Sequence, residues 1–284
     1  MATSPTEIKK LLIIAGSGTY PASFAMGARK AGVHHISALA IRGMTSRQLK
    51  PLVDEMVWFG VGEVRAIFDW IAKQGFDAGI LIGQITPLAL FRTRFDDLAR
   101  AWLSNLPVKN AHTIFGKIAE ETEKLNIRVL PASCYMDDFL PSAGVLTRRA
   151  PDEREARDIA FGHRVACDIC GLDIGQTLVV KDGMILAVEA FEGTNQAIQR
   201  GGKLGGKGAV VIKVAKEGHD MRFDIPVIGE ATIASLRKAG VSALAFQAGR
   251  LVLLERQKVI AAADKLNIAI VGIDSGLPVA PLRP

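Results

Sequence analysis

Runs of apolar residues recur at intervals over the first 133 positions. The runs are LLIIAG (11–16), HISALAI (35–41), AGILIG (78–83) and IRVLPA (127–132). Each run has the length of a buried β-strand, and Gly, Pro or Asn residues bound the runs. The first half of the chain is therefore predicted to contain several strands of one sheet.

Between these runs the apolar positions follow the period of a helix. Val64, Ile67, Phe68 and Ile71 fall at i, i+3, i+4 and i+7, which places them on one helix face. Residues 114–126 show the same period. Strands that alternate with helices predict right-handed crossovers and a parallel sheet, whose ligands bind beyond the carboxyl ends of the strands. We expect an α/β fold with a Rossmann-like N-terminal domain over residues 1–133.

The pattern changes after residue 133. Residues 134–151 are rich in turn formers and predict an interdomain linker. Residues 152–284 predict a C-terminal α+β domain that begins with a helix from Asp152 to Cys170. Strands are expected around a Lys-Asp-Gly turn within 177–190 and in AVVIKVA, SALAFQAG, RLVLLE and IAIVGID, with helices in EATIASLRKAG and QKVIAAADKLN.

Composition and charge narrow the class of protein. The 284 residues are 49% hydrophobic and 23% charged, and 35 Lys and Arg against 29 Asp and Glu give a net charge of +6. This charge is compatible with an anionic ligand, a membrane surface or a nucleic acid. The basic residues are scattered and aromatic residues are few, which argues against nucleic acid. Because no apolar run reaches the length of a membrane span and the start lacks a signal-peptide core, we expect a soluble, cytoplasmic chain.

Two glycine-containing loops follow predicted strands. Gly16, Ser17 and Gly18 belong to GSGTYP, where glycines let the backbone approach a phosphate ahead of a helix. Pro21 stands where a dinucleotide fingerprint has its third glycine, and no acidic residue clearly ends the second strand. An anion-binding loop and a plain tight turn both stay open. Gly83 and Gln84 follow a further strand and are candidates to line the same crevice.

The segment 218–233 carries alternating charges. If it is extended, Asp220, Arg222 and Asp224 project from one face. Two carboxylates around a guanidinium suit Mg²⁺ and a phosphate group. The alternative is a solvated strand with a local ion pair that is worth about 0–1 kcal/mol.

Further candidates lie in the second half. Glu189 and Glu192 follow a predicted strand and precede Gly193 and Thr194, where a helix is expected to start. Lys213 lies in an apolar strand, where a cation requires a partner or an anionic ligand. Lys207 belongs to the glycine-rich loop before that strand. The alternative is a mobile surface loop with one lysine that extends to solvent.

Several stretches together resemble one family. EAFEGTN, GGKGAVVIKVAKEGHDMRFDIPVIGEATI and AGSGTYP are similar to the UDP-2,3-diacylglucosamine pyrophosphatases of lipid A biosynthesis, and the similarity covers nearly the whole chain. The resemblance implies a Rossmann-like domain, a C-terminal domain peculiar to the family and a lipid chamber between them. It also implies Mg²⁺-dependent hydrolysis of UDP-2,3-diacylglucosamine to UMP and 2,3-diacylglucosamine 1-phosphate (lipid X), with water attacking the α-phosphorus.

The resemblance assigns roles residue by residue. The essential metal-site aspartate of the family falls on Asp224, and Asp220 and Arg222 follow as its neighbours in the motif. Lys213, Glu189 and Glu192 are included because they lie close by in the pattern. The predicted catalytic residues are Asp224, Asp220, Arg222 and Lys213; the predicted Mg²⁺ ligands are Asp224, Asp220 and Glu189; the predicted substrate contacts are Gly16, Ser17, Gly18, Gly83, Gln84, Glu192, Gly193, Thr194 and Lys207.

Two positions depart from the family pattern, and two other functions stay open. His219 replaces a more usual Gln and Asn195 a more usual Asp, so neither receives an essential role.

The implied surroundings are the cytoplasmic face of the inner membrane in a bacterium with lipid A, and a homodimer is one alternative for the oligomeric state. The competing functions are a nucleotide-cofactor (NAD(P)) oxidoreductase and a non-catalytic nucleotide-sugar or lipid-binding protein.

Overall fold

The computed structural model describes residues 8–84, 93–108, 111–215, 222 and 225–274. These residues divide into two compact units. The first comprises the described residues up to Asp137 together with Arg222, and the second begins at Asp138 and includes the described residues from Ile225 onward. No helix among the described residues is long and apolar enough to span a bilayer.

The first unit is built on a five-stranded parallel sheet with the order β3-β2-β1-β4-β5. The strands are β1 (Lys10–Ala15), β2 (His35–Ile41), β3 (Glu55–Phe59), β4 (Ala78–Ile82) and β5 (Arg128–Val129). In β1 and β4 every residue except Lys10 is buried, as expected for strands covered on both faces. The chain reverses its direction of travel across the sheet between β1 and β4, which is where ligands bind in open α/β sheets.

Helices and a 3₁₀ segment connect these strands. The helices are α1 (Tyr20–Lys30), α2 (Val64–Ala72), α3 (Asp97–Asn105) and α4 (Ala111–Lys124), and a 3₁₀ helix covers Arg47–Leu52. The apolar face of α2 buries Ile67 and Ile71 against the sheet. Helix α3 begins where the Asp96 carboxylate accepts a hydrogen bond from the Ala99 amide, which satisfies a donor that the helix leaves open.

The second unit is built on a six-stranded mixed sheet with the order β6-β13-β11-β9-β7-β8. The strands are β6 (Gly144–Val145), β7 (Thr177–Lys181), β8 (Met184–Val188), β9 (Val210–Lys213), β11 (Ala243–Gln247) and β13 (Ala269–Ile273), and β10 (Val227–Ile228) pairs with β12 (Val252–Leu253) in a separate ribbon. Strands β9, β11 and β13 are parallel, so their carboxyl ends lie at one edge of the sheet.

Helices cover both faces of this sheet. They are α5 (Glu153–Gly171), α6 (Thr194–Gly205), α7 (Glu230–Ala239) and α8 (Arg256–Lys265). Side chains alternate along β9, so that Val210 and Ile212 pack on the face of α5 while Val211 packs with residues of α6 and α7. The sheet therefore separates two apolar layers, one on each of its faces.

A buried ionic network fixes the start of α5. Asp152 and Glu155 form a reciprocal capping box, in which each side chain accepts a hydrogen bond from the other's backbone amide. Arg149 donates to both carboxylate oxygens of Glu155, at 2.7 and 3.1 Å. Asp158 accepts from the amides of Asp182 and Gly183, so the same helix also holds the β7–β8 turn.

The α/β class is confirmed, with a Rossmann-like parallel sheet in the first unit and a mixed sheet in the second. Strand β3 was not expected, because all five of its residues are only partly buried and they lack a clear alternation. RLVLLE yields the two-residue strand β12 in the ribbon and adds no strand to the main sheet. Within the segment expected to be a linker, Gly144 and Val145 pair with Val271 and Gly272, so this part belongs to the second unit.

Candidate functional site

The two glycine loops of the first unit meet at the ends of β1 and β4. Ser17 and Gln84 form an isolated antiparallel bridge, in which the Ser17 amide donates to the Gln84 carbonyl at 2.9 Å and the Gln84 amide donates back at 3.2 Å. The Ser17 hydroxyl also donates to the Gln84 carbonyl, at 2.9 Å. The structure therefore brings Gly16, Ser17, Gly83 and Gln84 together.

Close contact between the two loops leaves no room for a side chain at Gly16 or Gly83. A Cβ on Gly16 would lie 2.7 Å from the Gln84 carbonyl oxygen, and Gly83 has φ +91° with the Gly16 carbonyl carbon 2.8 Å from its ideal Cβ position. Gly18 has φ +92° and open space around it. Both donors of Ser17 are engaged with Gln84, so the part of this loop that could contact an anion is Gly18 and the start of α1, where no side chain caps the helix.

A polar cluster around a buried lysine lies at the edge of the second unit's sheet where β9 ends. We refer to Glu189, Thr194 and Lys213 as the lysine cluster. Lys213 is 6% exposed, and its Nζ donates to Thr194 Oγ1 at 2.9 Å. The Thr194 hydroxyl donates in turn to Glu189 Oε1 at 2.8 Å. The hydroxyl therefore connects a buried ammonium group to a carboxylate at the start of α6.

Backbone contacts hold Glu189 in this position. Its amide donates to the Thr177 carbonyl at 2.8 Å, directly after β8. Gly175 lies against it, with an ideal Cβ position only 2.0 Å from the Glu189 carbonyl oxygen. Glu189 Oε2 is buried and has no hydrogen-bond partner in the part of the chain that the structure describes. A buried carboxylate oxygen requires a proton, a donor or a cation, so this atom fits a Mg²⁺ ligand.

Glu192 and Gly193 shape the loop before α6. Glu192 forms an ion pair with Arg200 at 2.5 Å, and Arg200 also donates to the Val188 carbonyl. The hydrogen bond from Arg200 holds the pKa of the Glu192 carboxyl below its usual value. Gly193 has φ +82° and precedes Thr194, the first residue of α6. Glu192 is thus engaged in holding the loop, whereas Thr194 belongs to the lysine cluster.

Lys207 lies away from this cluster. It precedes β9, whereas Lys213 is the last residue of that strand, so the two lysines lie at opposite ends of it. Lys207 lines a cavity of about 300 Å³ with Arg237 and Asn267, and its Cγ lies 3.1 Å from the ideal Cβ position of Gly240. Within the second unit, the structure does not bring Lys207 together with Glu192, Gly193 and Thr194.

The alternating-charge segment is only partly described. Asp220 and Asp224 lie outside the described residues. Arg222 lies in a turn, so the condition of an extended segment is not met at this position, and its guanidinium pairs with Glu123 at 2.7 Å. No group of three or more metal-binding side chains occurs among the described residues.

A second polar group, not predicted from the sequence, lies on the opposite face of the same sheet. Gln247 at the end of β11 is 5% exposed, and its Nε2 lies 3.5 Å from His163 Nε2 and 3.6 Å from Cys167 Sγ. Its Oε1 accepts from the Ala215 amide at 2.8 Å. Burial lowers the pKa of His163, which favours the neutral imidazole. The i, i+4 spacing of His163 and Cys167 was the available sequence signal.

These features define a class: a two-unit α/β protein with a Rossmann-like sheet in one unit and, in the other, a buried lysine that a hydroxyl links to a glutamate at a sheet edge. Two family models match the chain, the LpxI N-terminal domain over residues 10–139 and the LpxI C-terminal domain over residues 142–271. The chain belongs to the LpxI family. It is 30% identical over 278 residues to the UDP-2,3-diacylglucosamine pyrophosphatase LpxI of Caulobacter vibrioides, covering 94% of this chain and 98% of that protein.

Similarity to solved structures is low. The chain aligns with the biotin carboxylase domain of the Hydrogenobacter thermophilus 2-oxoglutarate carboxylase at TM-score 0.28 and 15% identity, over 69% of this chain and 41% of that chain. It aligns with the biotin carboxylase subunit of a pyruvate carboxylase at TM-score 0.27 and 14% identity, over 65% and 38% of the two chains. At these scores the alignments do not define a shared fold.

Proposed function

We propose that this chain hydrolyses UDP-2,3-diacylglucosamine in an Mg²⁺-dependent reaction that releases UMP and 2,3-diacylglucosamine 1-phosphate (lipid X). Water attacks the α-phosphorus, so that the oxygen of water becomes part of UMP and the bridging oxygen leaves with the lipid phosphate. Family membership supports the substrate. The observation that carries the chemistry is the lysine cluster at the end of β9.

Pyrophosphate cleavage requires neutralisation of charge more than it requires a covalent nucleophile. Lys213 supplies a positive charge in a buried position, where electrostatic attraction to a phosphate oxygen is stronger than in bulk water. Thr194 holds the ammonium group at the amino-terminal end of α6, which itself favours anions. We assign Lys213 the role of binding a phosphate oxygen, and Thr194 the role of positioning it.

Mg²⁺, when bound, shares oxygen ligands between protein and substrate phosphates and withdraws negative charge from them. Glu189 Oε2 is the described atom that fits this ion, because it is buried without a hydrogen-bond partner among the described residues. Asp220 and Asp224 stay Mg²⁺ ligands predicted from the sequence, and Arg222 stays a predicted phosphate contact.

A surface beside Glu189 suits the lipid part of the substrate. Leu172, Ile174 and Phe191 are exposed by 72%, 47% and 65%, and the loop that carries the first two approaches Glu189 through Gly175. Apolar side chains of this kind favour acyl chains or a membrane surface. With the net charge of +6, they support peripheral association with an anionic inner membrane from the cytoplasmic side, in a bacterium with lipid A.

The test is UMP release from UDP-2,3-diacylglucosamine in detergent micelles. The wild-type chain is expected to release UMP with Mg²⁺ and to lose this activity with EDTA, and ¹⁸O from labelled water is expected in UMP. Asp224→Ala is expected to abolish release. The matched control is Asp69→Ala, which removes an exposed aspartate on α2 and is expected to leave activity unchanged.

Other results would contradict the proposal in different ways. Label in the lipid phosphate would show attack at the other phosphorus. Binding of the substrate without turnover under any condition would favour a non-catalytic nucleotide-sugar or lipid-binding protein. Tight binding of NAD(P)H together with absence of UMP release would favour the oxidoreductase.

A further inference from the structure

A basic groove lies near the carboxyl ends of β2 and β3 in the first unit, apart from the residues used above. It encloses about 650 Å³ and is lined by Arg42, Gly43, Thr45, Arg47, Lys50 and Trp58. A concave site of this size is typical of a binding site for a small organic ligand.

Two of its cations are available to a ligand. Arg42 is engaged, since it donates to the Trp58 carbonyl at 2.7 Å and pairs with Glu63. Arg47 and Lys50 are exposed, and neither forms an ion pair within the described residues. They lie three apart in the 3₁₀ helix Arg47–Leu52, where side chains at i and i+3 project from the same side. The groove thus presents two adjacent positive charges.

The rest of the lining adds an apolar wall. Trp58 is partly buried in β3 and is one of the residues that line the groove beside the charges. A planar aromatic face next to paired cations matches a ligand that joins an aromatic base to a phosphate. A lipid surface would require apolar side chains that protrude, whereas Trp58 forms part of a concavity.

A hydrogen bond also connects a residue of the groove to the strand end that precedes the glycine loop. The Thr45 hydroxyl donates to the Ala15 carbonyl at 2.5 Å, and Ala15 immediately precedes Gly16. In doubly wound sheets a nucleotide at the crevice extends over the end of the second strand. A basic residue at that strand end can bind a phosphate group of the nucleotide. Arg42 directly follows β2, where an acidic residue would favour a ribose hydroxyl.

We propose that this groove binds a nucleoside phosphate, with the base against Trp58 and the phosphate between Arg47 and Lys50. The ligand has two sources, the uridine phosphate part of the substrate or a free nucleotide that acts as an effector. The first source rests on the proposed function, whereas the binding site itself does not.

Calorimetric titration of the full-length protein with UMP, ribose 5-phosphate and inorganic phosphate tests the site. Arg47→Glu and Lys50→Glu are each expected to weaken UMP binding about tenfold or more, because each removes a charge-assisted contact and adds repulsion. Lys73→Glu is the control, since it reverses an exposed charge of the same unit outside the groove. Trp58→Ala is expected to weaken UMP binding while leaving ribose 5-phosphate binding unchanged.

Steady-state kinetics distinguish the two sources. A raised KM for UDP-2,3-diacylglucosamine at unchanged kcat in Arg47→Glu supports the substrate's nucleotide as the ligand. An unchanged KM, with UMP binding still lost, supports a free nucleotide. UMP binding that is unaffected by all three groove variants overturns the proposal, and so does binding of anionic lipid vesicles in its place. A chain without hydrolase activity whose UMP binding depends on Arg47 would overturn the proposed function and leave the groove in place.

Discussion

The two units carry polar atoms at the carboxyl ends of their strands in different ways. In the first unit the ends of β1 and β4 meet through backbone atoms, and the bridge between Ser17 and Gln84 uses up their amides. In the second unit the end of β9 carries the lysine cluster, which is made of side chains. Glycine in the first unit allows two loops to approach, whereas the second unit holds a buried charge through a side-chain hydroxyl. If the proposed function is correct, buried side-chain charge identifies the reacting part of this molecule better than a glycine pattern does.

Among the described residues, the largest expected effect comes from Lys213. Lys213→Met keeps the length of the side chain but removes its charge, and we expect UMP release to fall about 100- to 1,000-fold, as when one pre-organised donor to a reacting oxyanion is removed. The matched control is Lys207→Met, the same substitution ahead of the same strand, which is expected to retain activity within about threefold because that lysine lies at the other end of β9.

Three results would count against this role for Lys213. Equal losses in the two lysine variants would indicate general destabilisation, which a thermal unfolding scan detects. Full activity of Lys213→Met would show that the cluster is structural. Rescue by Lys213→Arg to near wild-type kcat would argue that any positive charge suffices, against the specific placement at Thr194.

Some of the strands in the first unit could be predicted from the sequence and one could not, and burial explains the difference. Continuous apolar runs predicted β1, β2 and β4, because these strands are buried on both faces. Strand β3 lies at the sheet edge and is only partly buried, so its pattern is weak. The charges around Arg222 suggested a strand, but that residue lies in a turn.

The lysine cluster was only partly foreseeable. The apolar context of Lys213 and the strand-end position of Glu189 were visible in the sequence. The hydroxyl that connects them was not, because Thr194 lies 19 residues from Lys213 and reaches it only after α6 has turned the chain back onto the sheet. The glycines Gly16 and Gly83 stand at the ends of predicted strands, but their contact with each other has no local sequence signal.

The second prediction concerns the backbone contact in the first unit. Gly16→Ala places a Cβ 2.7 Å from the Gln84 carbonyl oxygen, and we expect it to lower the free energy of unfolding by about 3 kcal/mol. Gly18→Ala is the control, since that position has a positive φ but open space, and strain alone costs about 1–2 kcal/mol. Tryptophan fluorescence during urea unfolding reports on this unit, because Trp58, Trp70 and Trp102 all lie in it. Equal losses would show that conformation rather than contact requires glycine at both positions.

The third prediction concerns the buried network of the second unit. Glu155→Gln removes the charge that faces Arg149, and we expect a loss of about 2 kcal/mol in the free energy of unfolding at neutral pH. The second unit contains neither Trp nor Tyr, so hydrogen exchange of the β11 and β13 amides is the suitable measurement. The β1 and β2 amides of the first unit serve as the internal control.

The same variant has a defined pH dependence. Burial alone would raise the pKa of Glu155, but the hydrogen bonds from Arg149 and the backbone outweigh it and hold the pKa below the usual 4.5. A lowered folded-state pKa gives stability that is present above the unfolded value and is lost as the pH falls through the folded value. The difference between wild type and Glu155→Gln is therefore expected to shrink as the pH falls below about 4.5. A difference that grows on acidification would contradict this assignment.

The smallest expected effect concerns the exposed pair beside the lysine cluster. Arg200→Met breaks the ion pair with Glu192, and because both side chains are partly solvated we expect a loss of less than about 1 kcal/mol in the free energy of unfolding. The pKa of Glu192 is expected to rise towards its usual value, since the hydrogen bond from Arg200 is the main cause of its lowering. Carboxyl NMR titration measures this shift. Activity within about threefold of wild type is expected, because the buried contacts at Thr177 and Gly175 still hold Glu189. A loss as large as that of Lys213→Met would show that Glu192 itself contacts the substrate, and would extend the site from the buried cluster to the exposed loop.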